Sequence, residues 1–221
     1  MKKVVSIRRK ALAASEEHAA KLREQFSESG TLVLNLISSP GSGKTTLLET
    51  TVGRLAERYR FAVIEGDVAT ERDADRIRAL GVPAHQVLTG GACHLDARQI
   101  EGALETAPLL PADILFIENV GNLICPTTYD LGEDFKIALL SVTEGDDKPL
   151  KYPAIFSRAA VTVITKADLL PYVPFDLDAV QEYISSLSPS GTIVVVSSTT
   201  GEGIDEWCEL LAGSLEAKRG S

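Results

Sequence analysis

The sequence predicts an α/β fold, a mostly parallel central sheet with helices on both faces. Three observations predict it. Seven short strand-like runs recur between Leu32 and Ser198, the last four of them apolar and rich in β-branched residues. They alternate with stretches of helical spacing. A Gly-rich turn, Ser38 to Thr46, joins the first run to the helical stretch after it. Continuous apolar runs bury both faces of a strand, which is the signature of parallel sheets covered by helices. In such sheets ligands bind at the carboxyl ends of the strands, so that rim is where chemistry is sought.

The elements follow in order. Ile7 to about Ser29 reads as a helix, with Ile7, Ala11, Ala14 or Ser15, Leu22 and Phe26 near one face and Gly30 ending it. It carries too few apolar residues for a domain of its own. The expected division is an N-terminal helical extension, 1–29, and one domain over 30–221. LVLNLI (Leu32–Ile37) is the first strand, and Lys44 to Tyr59 the helix after it. FAVIEG is a strand. TERDADRIRAL opens on a capping residue and stops at Gly81, as a helix does. His85–Thr89 is a short strand, followed by a Thr-Gly-Gly turn and a helix through Leu95–Leu104. DILFIEN, KIALLSV, AVTVITK and TIVVVSS supply four more strands, with helices near Asp176–Ser186 and Ile204–Leu215.

Composition narrows the function classes. The 221 residues fit one large domain, or one with a small appendage, at roughly 100–200 residues per domain. An apolar share of 44% excludes a disordered chain. No apolar run approaches the roughly 18 residues of a membrane span. A net charge of −9 repels phosphate backbones and argues against nucleic acid as a partner. The basic start MKKVVSIRRKALAAS is not followed by a long apolar core, so a cytoplasmic rather than secreted chain is expected. Three cysteines, Cys93, Cys125 and Cys208, cannot all pair within one chain and are expected to be thiols.

Ser38-Ser-Pro-Gly-Ser-Gly-Lys-Thr-Thr46 has the context of a phosphate-binding loop, between a buried strand and a helix. Gly41 and Gly43 let successive N–H groups turn inward, and the helix N-terminus adds partial positive charge. Lys44 brings a full charge to the β- and γ-phosphates, and the Thr45 hydroxyl suits Mg²⁺. Gly41, Ser42, Gly43, Lys44, Thr45 and Thr46 are the expected nucleotide contacts. The usual pattern opens with Gly where this chain has Ser38.

Two later loops address the base. Thr165-Lys-Ala-Asp168 ends a strand. A carboxylate accepts both N1–H and the N2 amino group of guanine, whereas adenine would set a lone pair against it. Asp168 is thus the candidate guanine reader, with the Lys166 stem on the base. Asn commonly leads this tetrapeptide; here Thr165 stands there. Ser197 to Gly203 follows the last strand, and Ser198 and Thr199 are placed to offer N–H groups to the base oxygen. The alternative is a pair of ordinary loops.

Cys93-His94 precedes a helix, and Cys125 lies 32 positions further on, both after predicted strands. Thiolate and imidazole suit Zn²⁺ or Ni²⁺. The alternative for the two cysteines is burial as small hydrophobes. His18 and His85 lack neighbouring ligands and read as surface or packing residues, and Cys208 reads as helix core. Three ligands leave a tetrahedron incomplete; water or a second copy of the chain could supply the fourth.

The strings EGDVATERDADRIRALGVPAHQVLTGGACHLDA, LFIENVGNLICP and LLSVTEGDDKPLKYP closely resemble the hydrogenase nickel-incorporation GTPases, the HypB family. The resemblance covers Gly30 to Trp207. It implies a SIMIBI-class P-loop GTPase that binds GTP or GDP with Mg²⁺ and forms a nucleotide-dependent homodimer. It further implies insertion of nickel into the large subunit of nickel–iron hydrogenase, alongside a small zinc-containing accessory partner. Cys93, His94 and Cys125 match the family's GTPase-domain metal site. Many members add an N-terminal Cys-rich nickel motif, which MKKVVSIRRKALAAS does not match.

Within that reading Lys44 and the loop amides hold the phosphates. Thr45, Asp67 and Glu118 arrange Mg²⁺ or the attacking water, so Lys44, Asp67 and Glu118 are the catalytic candidates. Arg72, Arg76, Lys148 and Lys151 are weighed as charge-stabilising groups and read as solvated charges. Glu118 and Cys125 are joined only by Asn119–Ile124, so loss of the γ-phosphate is expected to move one metal ligand. The rivals are a urease-type nickel-delivery GTPase, an ATP-dependent small-molecule kinase, and a nucleotide-gated binding module with merely packed cysteines.

Overall fold

The computed structural model of the chain describes residues 2–67 and 72–220, with side chains from residue 15 onward. Seven strands form one all-parallel sheet in the order β3-β2-β4-β1-β5-β6-β7. They are β1 (Leu32–Ser38), β2 (Phe61–Asp67), β3 (Ala84–Leu88), β4 (Ile114–Glu118), β5 (Phe135–Ser141), β6 (Val161–Thr165) and β7 (Thr192–Val195). All seven expected runs are strands.

The expected helices are present, with shifted ends. They are α1 (Lys2–Ser29), α2 (Lys44–Leu55), α3 (Arg72–Arg78), α4 (Ala97–Thr106), α7 (Leu177–Leu187) and α8 (Ile204–Gly220). The helix expected to reach Tyr59 stops at Leu55 and passes through a turn. Tyr59 still packs against the core, which kept the apolar spacing going in sequence. The last helix continues past Leu215, held by Lys218 on Asp134 and Arg219 on Asp113, at 2.6 and 2.5 Å. Two short helices, α5 (Lys148–Lys151) and α6 (Pro153–Arg158), were too brief to show a period. The expected capping residue of α3, Thr70, lies outside the described residues, as do the side chains of Ile7, Ala11 and Ala14.

Strand alternation sorts the core. On β1, Leu32, Leu34 and Leu36 face one layer with Leu47, Leu48 and Val52 of α2 and Trp207 and Leu211 of α8. Val33 faces the other layer, with Ala19, Leu22 and Phe26 of α1 and Ile100 and Ala103 of α4. Ile37 joins Ile155, Phe156, Val180 and Ile184 of α6 and α7 in the same layer. The second half of α1 is therefore a wall of the core. Gly132, at φ +81°, touches it so closely that a Cβ there would stand 2.8 Å from Leu22 Cβ.

His18, read as a surface or packing residue, also ties α1 down. His18 Nδ1 lies 2.5 Å from Glu101 Oε2 on α4, and Arg23 donates to Asp130 at 2.6 Å. Phe26 is fully buried between these contacts. Phe26→Ala is expected to lower unfolding free energy by about 3–5 kcal/mol. Urea titration followed by circular dichroism measures it; a loss below about 1 kcal/mol would mean α1 is loosely attached.

Candidate functional site

The carboxyl ends of β1, β2 and β4 open into a cavity of about 480 Å³. Pro40, Gly41, Gly43, Lys44, Thr45 and Thr46 line one side of it. Gly43 sits at φ +93° and caps α2 without any side-chain hydrogen bond. The first N–H groups of α2 are therefore left for an anion. Ser38, the departure from the usual opening glycine, accepts from Lys44 Nζ at 2.9 Å. Its hydroxyl parks the ammonium at the cavity wall. Ser42 is buried and turns its hydroxyl back to the Ser39 carbonyl, leaving only its backbone for a ligand.

Four carboxylates line the cavity with this loop, Glu118, Asp67, Glu65 and Asp73. Thr45 Oγ1 donates to Glu118 Oε1 at 2.9 Å, and Lys44 Nζ stands 4.0 Å from the same oxygen. Asp67, at the end of β2, lines the cavity. Glu65 was read only as a strand residue, yet it is 3% exposed and stands in register with Glu118 on the neighbouring strand. Glu65 Oε2 and Glu118 Oε2 are both buried and have no hydrogen-bond partner among the described residues. Its signal was an acid two positions before Asp67 in an otherwise apolar run. Burial pushes the Glu65 carboxyl up to about 8, reinforced by Glu118, Asp73 and Asp67 and opposed by Lys44. Burial raises Glu118 to about 6, against the pull of Lys44 and Thr45. An all-oxygen set with orphaned oxygens fits a hard divalent cation such as Mg²⁺.

Of the cations weighed for charge stabilisation, Arg72 is exposed and the other three are paired. Arg76 lines the cavity but is pinned to Glu49 at 2.6 Å and to Asp73. Lys148 pairs with Glu144 at 3.7 Å, and Lys151 with Asp147.

The two loops expected to read a base flank the phosphate loop. Thr165 Oγ1 donates to the Ser42 carbonyl at 2.7 Å, and Lys166 Nζ to the Gly41 carbonyl at 2.7 Å. Lys166 adopts φ +61°, a left-handed conformation unusual outside glycine. Asp168 accepts from Ser197 Oγ at 2.6 Å, which joins the loops after β6 and β7. Asp168 and Ser198 are half-buried and Thr199 is exposed. None of the three lines the phosphate cavity, whose lining on that side stops at Lys166.

Topology brings the metal candidates together. The ligand atoms of Cys93, His94 and Cys125 all lie within 4.8 Å of one another. Cys93 is exposed, and its Sγ lies 3.6 Å from His94 Nδ1. A hydrogen bond with Cys125 raises the Cys93 thiol above its ordinary value. Burial lowers the His94 pKa, with Asp96 opposing. Tyr129, which sequence reasoning passed over, stacks on His94 with ring centroids 3.8 Å apart and fixes its plane. Two sulfurs and an imidazole nitrogen suit Ni²⁺ or Zn²⁺. Cys208 is buried in α8 and takes no part.

Cluster and cavity are in mechanical contact. Gly121, four residues before Cys125, lies against the phosphate loop, where a Cβ would stand 2.8 Å from Pro40 Cγ.

The family description CobW/HypB/UreG, nucleotide-binding domain, matches residues 32–195. The chain belongs to this family. It is 53% identical over 193 residues to the hydrogenase maturation factor HypB of Escherichia coli strain K12, covering 87% of this chain and 67% of that one. The fold superposes on a crystal structure of HypB from Helicobacter pylori in complex with nickel. The TM-score is 0.86, with 44% identity, 94% of this chain covered and 96% of that one. It also superposes on HypB from Archaeoglobus fulgidus, with TM-score 0.87, 40% identity, and 92% and 100% covered. Among the CobW/HypB/UreG relatives, this chain thus sits with the HypB proteins.

The raised carboxyls predict a pH dependence. Each binds a proton in the folded chain that the unfolded chain, with a pKa near 4.5, gives up. Their contribution to stability is complete below about pH 4.5 and fades as pH rises through about 6 and then 8. Glu65→Gln is expected to flatten the fall in thermal midpoint between about pH 5 and 8 in ligand-free protein. Parallel profiles for the two proteins would reject the assignment.

Proposed function

We propose that this chain is a GTP hydrolase that carries nickel for the maturation of nickel–iron hydrogenase and works as a homodimer. The observation that carries the reading is the contact between two dissimilar sites. An anion-binding loop with an oxygen-rich cation seat abuts the segment that ends in a thiol–imidazole cluster. A kinase would need an acceptor pocket and has no use for such a cluster.

In the proposed reaction the amides before α2 and Lys44 hold the β- and γ-phosphates. Lys44 needs only to leave the Ser38 hydroxyl to reach them. Mg²⁺ would be held by Thr45 with Asp67 and Glu118, directly or through water, and would neutralise charge on the phosphates. Glu118 or Asp67 orients the attacking water. Asp168, with Lys166 and the amides of Ser198 and Thr199, selects guanine. Cys93, His94 and Cys125 hold the nickel as cargo, and Zn²⁺ competes for the same donors. The exposed Cys93 and the exposed Ile124 beside Cys125 suit a two-fold contact in which a second copy completes the coordination. The reduced cytoplasm keeps these thiols available. The hydrogenase large subunit and a small zinc-containing accessory protein are the expected partners.

Two measurements test the halves separately. Asp168→Ala is expected to weaken GTP binding by roughly 10- to 100-fold while leaving ATP binding unchanged, because guanine loses a charged acceptor that adenine does not use. Competition of both nucleotides against a fluorescent GDP reads this, and an unchanged GTP-to-ATP ratio would sink the base assignment. Cys93→Ala and Cys125→Ala are each expected to lose stoichiometric nickel on dialysis. Compared in metal-free protein, their GTP affinity should stay within about twofold of wild type, since neither residue lines the cavity. Retained nickel in both variants would remove the cargo role.

A further inference from the structure

Adjacent residues of a strand point to opposite faces. At the end of β4 this separates Glu118, which faces the phosphate loop, from Asn119, which points to the layer of α1 and α4. Asn119 is 1% exposed and hydrogen-bonded through both its amide oxygen and its amide nitrogen. Its Oδ1 accepts from Leu95 N at 3.1 Å and Val120 N at 3.0 Å, and its Nδ2 donates to Asn35 Oδ1 at 3.1 Å. Asn35, fully buried in mid-β1, donates in turn to Glu133 Oε1 at 3.1 Å. Glu133 accepts from Leu131 N at 2.6 Å through its other oxygen and pairs with Lys136.

The ends of this chain are specific. Leu95 follows His94. Leu131 lies two residues after Tyr129, whose ring stacks on His94. The centre, Asn119, is bonded to Glu118, which touches Thr45, and lies two residues from Gly121 on Pro40. One buried polar chain therefore grips the metal-bearing segment and the aromatic that orients its imidazole. Its middle is fixed to the strand end that senses the phosphates.

We propose that Asn119 is a positioning residue through which nucleotide occupancy sets the geometry of Cys93, His94 and Cys125, with Asn35 and Glu133 extending its hold to the Tyr129 loop. This rests on the GTP-and-nickel reading above and names the device that regulates it. The physical reason is the cost of a partial break. Each buried group left without its partner loses about 1–3 kcal/mol, so these bonds shift together rather than singly. A displacement of Glu118 by a γ-phosphate then reaches Leu95 in one step, independently of the covalent path to Cys125. Linkage makes the effect reciprocal.

The test compares nickel affinity in the GDP state and with a non-hydrolysable GTP analogue, by titration against a chromophoric chelator. It uses the wild-type dimer, Asn119→Ser and Asn35→Ser. Asn35 lines neither the cavity nor the cluster. The wild-type affinity ratio between the two states is expected at about fivefold or more, falling to within about twofold of unity in both variants. A merely structural role would weaken both states alike and leave the ratio intact. Variants that keep the wild-type ratio overturn the proposal while the cargo reading stands. A wild-type ratio of one overturns the proposal at its premise, that nucleotide occupancy acts on the metal cluster, and leaves nickel binding itself untouched. Should the variants fail to fold, hydrogen exchange on the wild type decides. The amides of Leu95 and Leu131 should change protection together when GDP is replaced by the analogue, and unchanged exchange at both rejects the proposal.

Discussion

A strand buried on both faces has no cheap place for a polar side chain, and the centre of this sheet is made of such strands. β1 and β4 lie side by side under helices on each face. Every polar group there must find a partner or a ligand, because an unmet group costs about as much as the largest single apolar contact contributes. Two outcomes are seen. On the α2 face, Glu65 and Glu118 line the cavity and each leaves one oxygen unmet among the described residues. On the α1 face, Asn35 and Asn119 satisfy each other and the neighbouring loops. The first is an arrangement that waits for a cation; the second is one that resists change. Both arise from the same constraint, applied to opposite faces of neighbouring strands.

The helices answer to that division. α2 begins without a side-chain cap and so keeps its amides free, whereas α4 begins with Asp96 and Gln99 capping each other. The capped helix follows the thiol–imidazole cluster and fixes its base. The uncapped one addresses phosphate. Helix starts in this protein are thus specialised by chemistry: open where an anion is to come, closed where the chain must hold a loop in place.

Much of the architecture was legible in the residues. Most of the strands were visible as apolar runs, β3 (AHQVL) only as a short stretch between turns, and the phosphate loop was visible because Gly-Ser-Gly-Lys-Thr-Thr sits between a strand and a helix. The convergence of Cys93 and Cys125 was legible only as topology: both follow strands, and β2 alone separates β3 from β4. Glu65 and Asn35 were not legible. A lone polar residue in an apolar strand has the same appearance whether it faces a ligand, a partner or solvent. Which face it takes depends on register with strands distant in sequence. Tyr129 was hidden for a similar reason, because a ring in a loop shows nothing of the ring it stacks on. The short helices α5 and α6 lack the turns needed to display a period.

Trp207, the sole tryptophan, is fully buried in α8 and donates its indole N–H to Thr51 Oγ1 at 2.8 Å. Thr51 lies on α2, about 10 Å along the axis from Lys44 at its start. The chain therefore carries an intrinsic optical gauge, wired by one hydrogen bond to the helix whose first turn receives the anion. A tilt of that helix would register as a shift in indole emission, with no dye attached and no residue replaced.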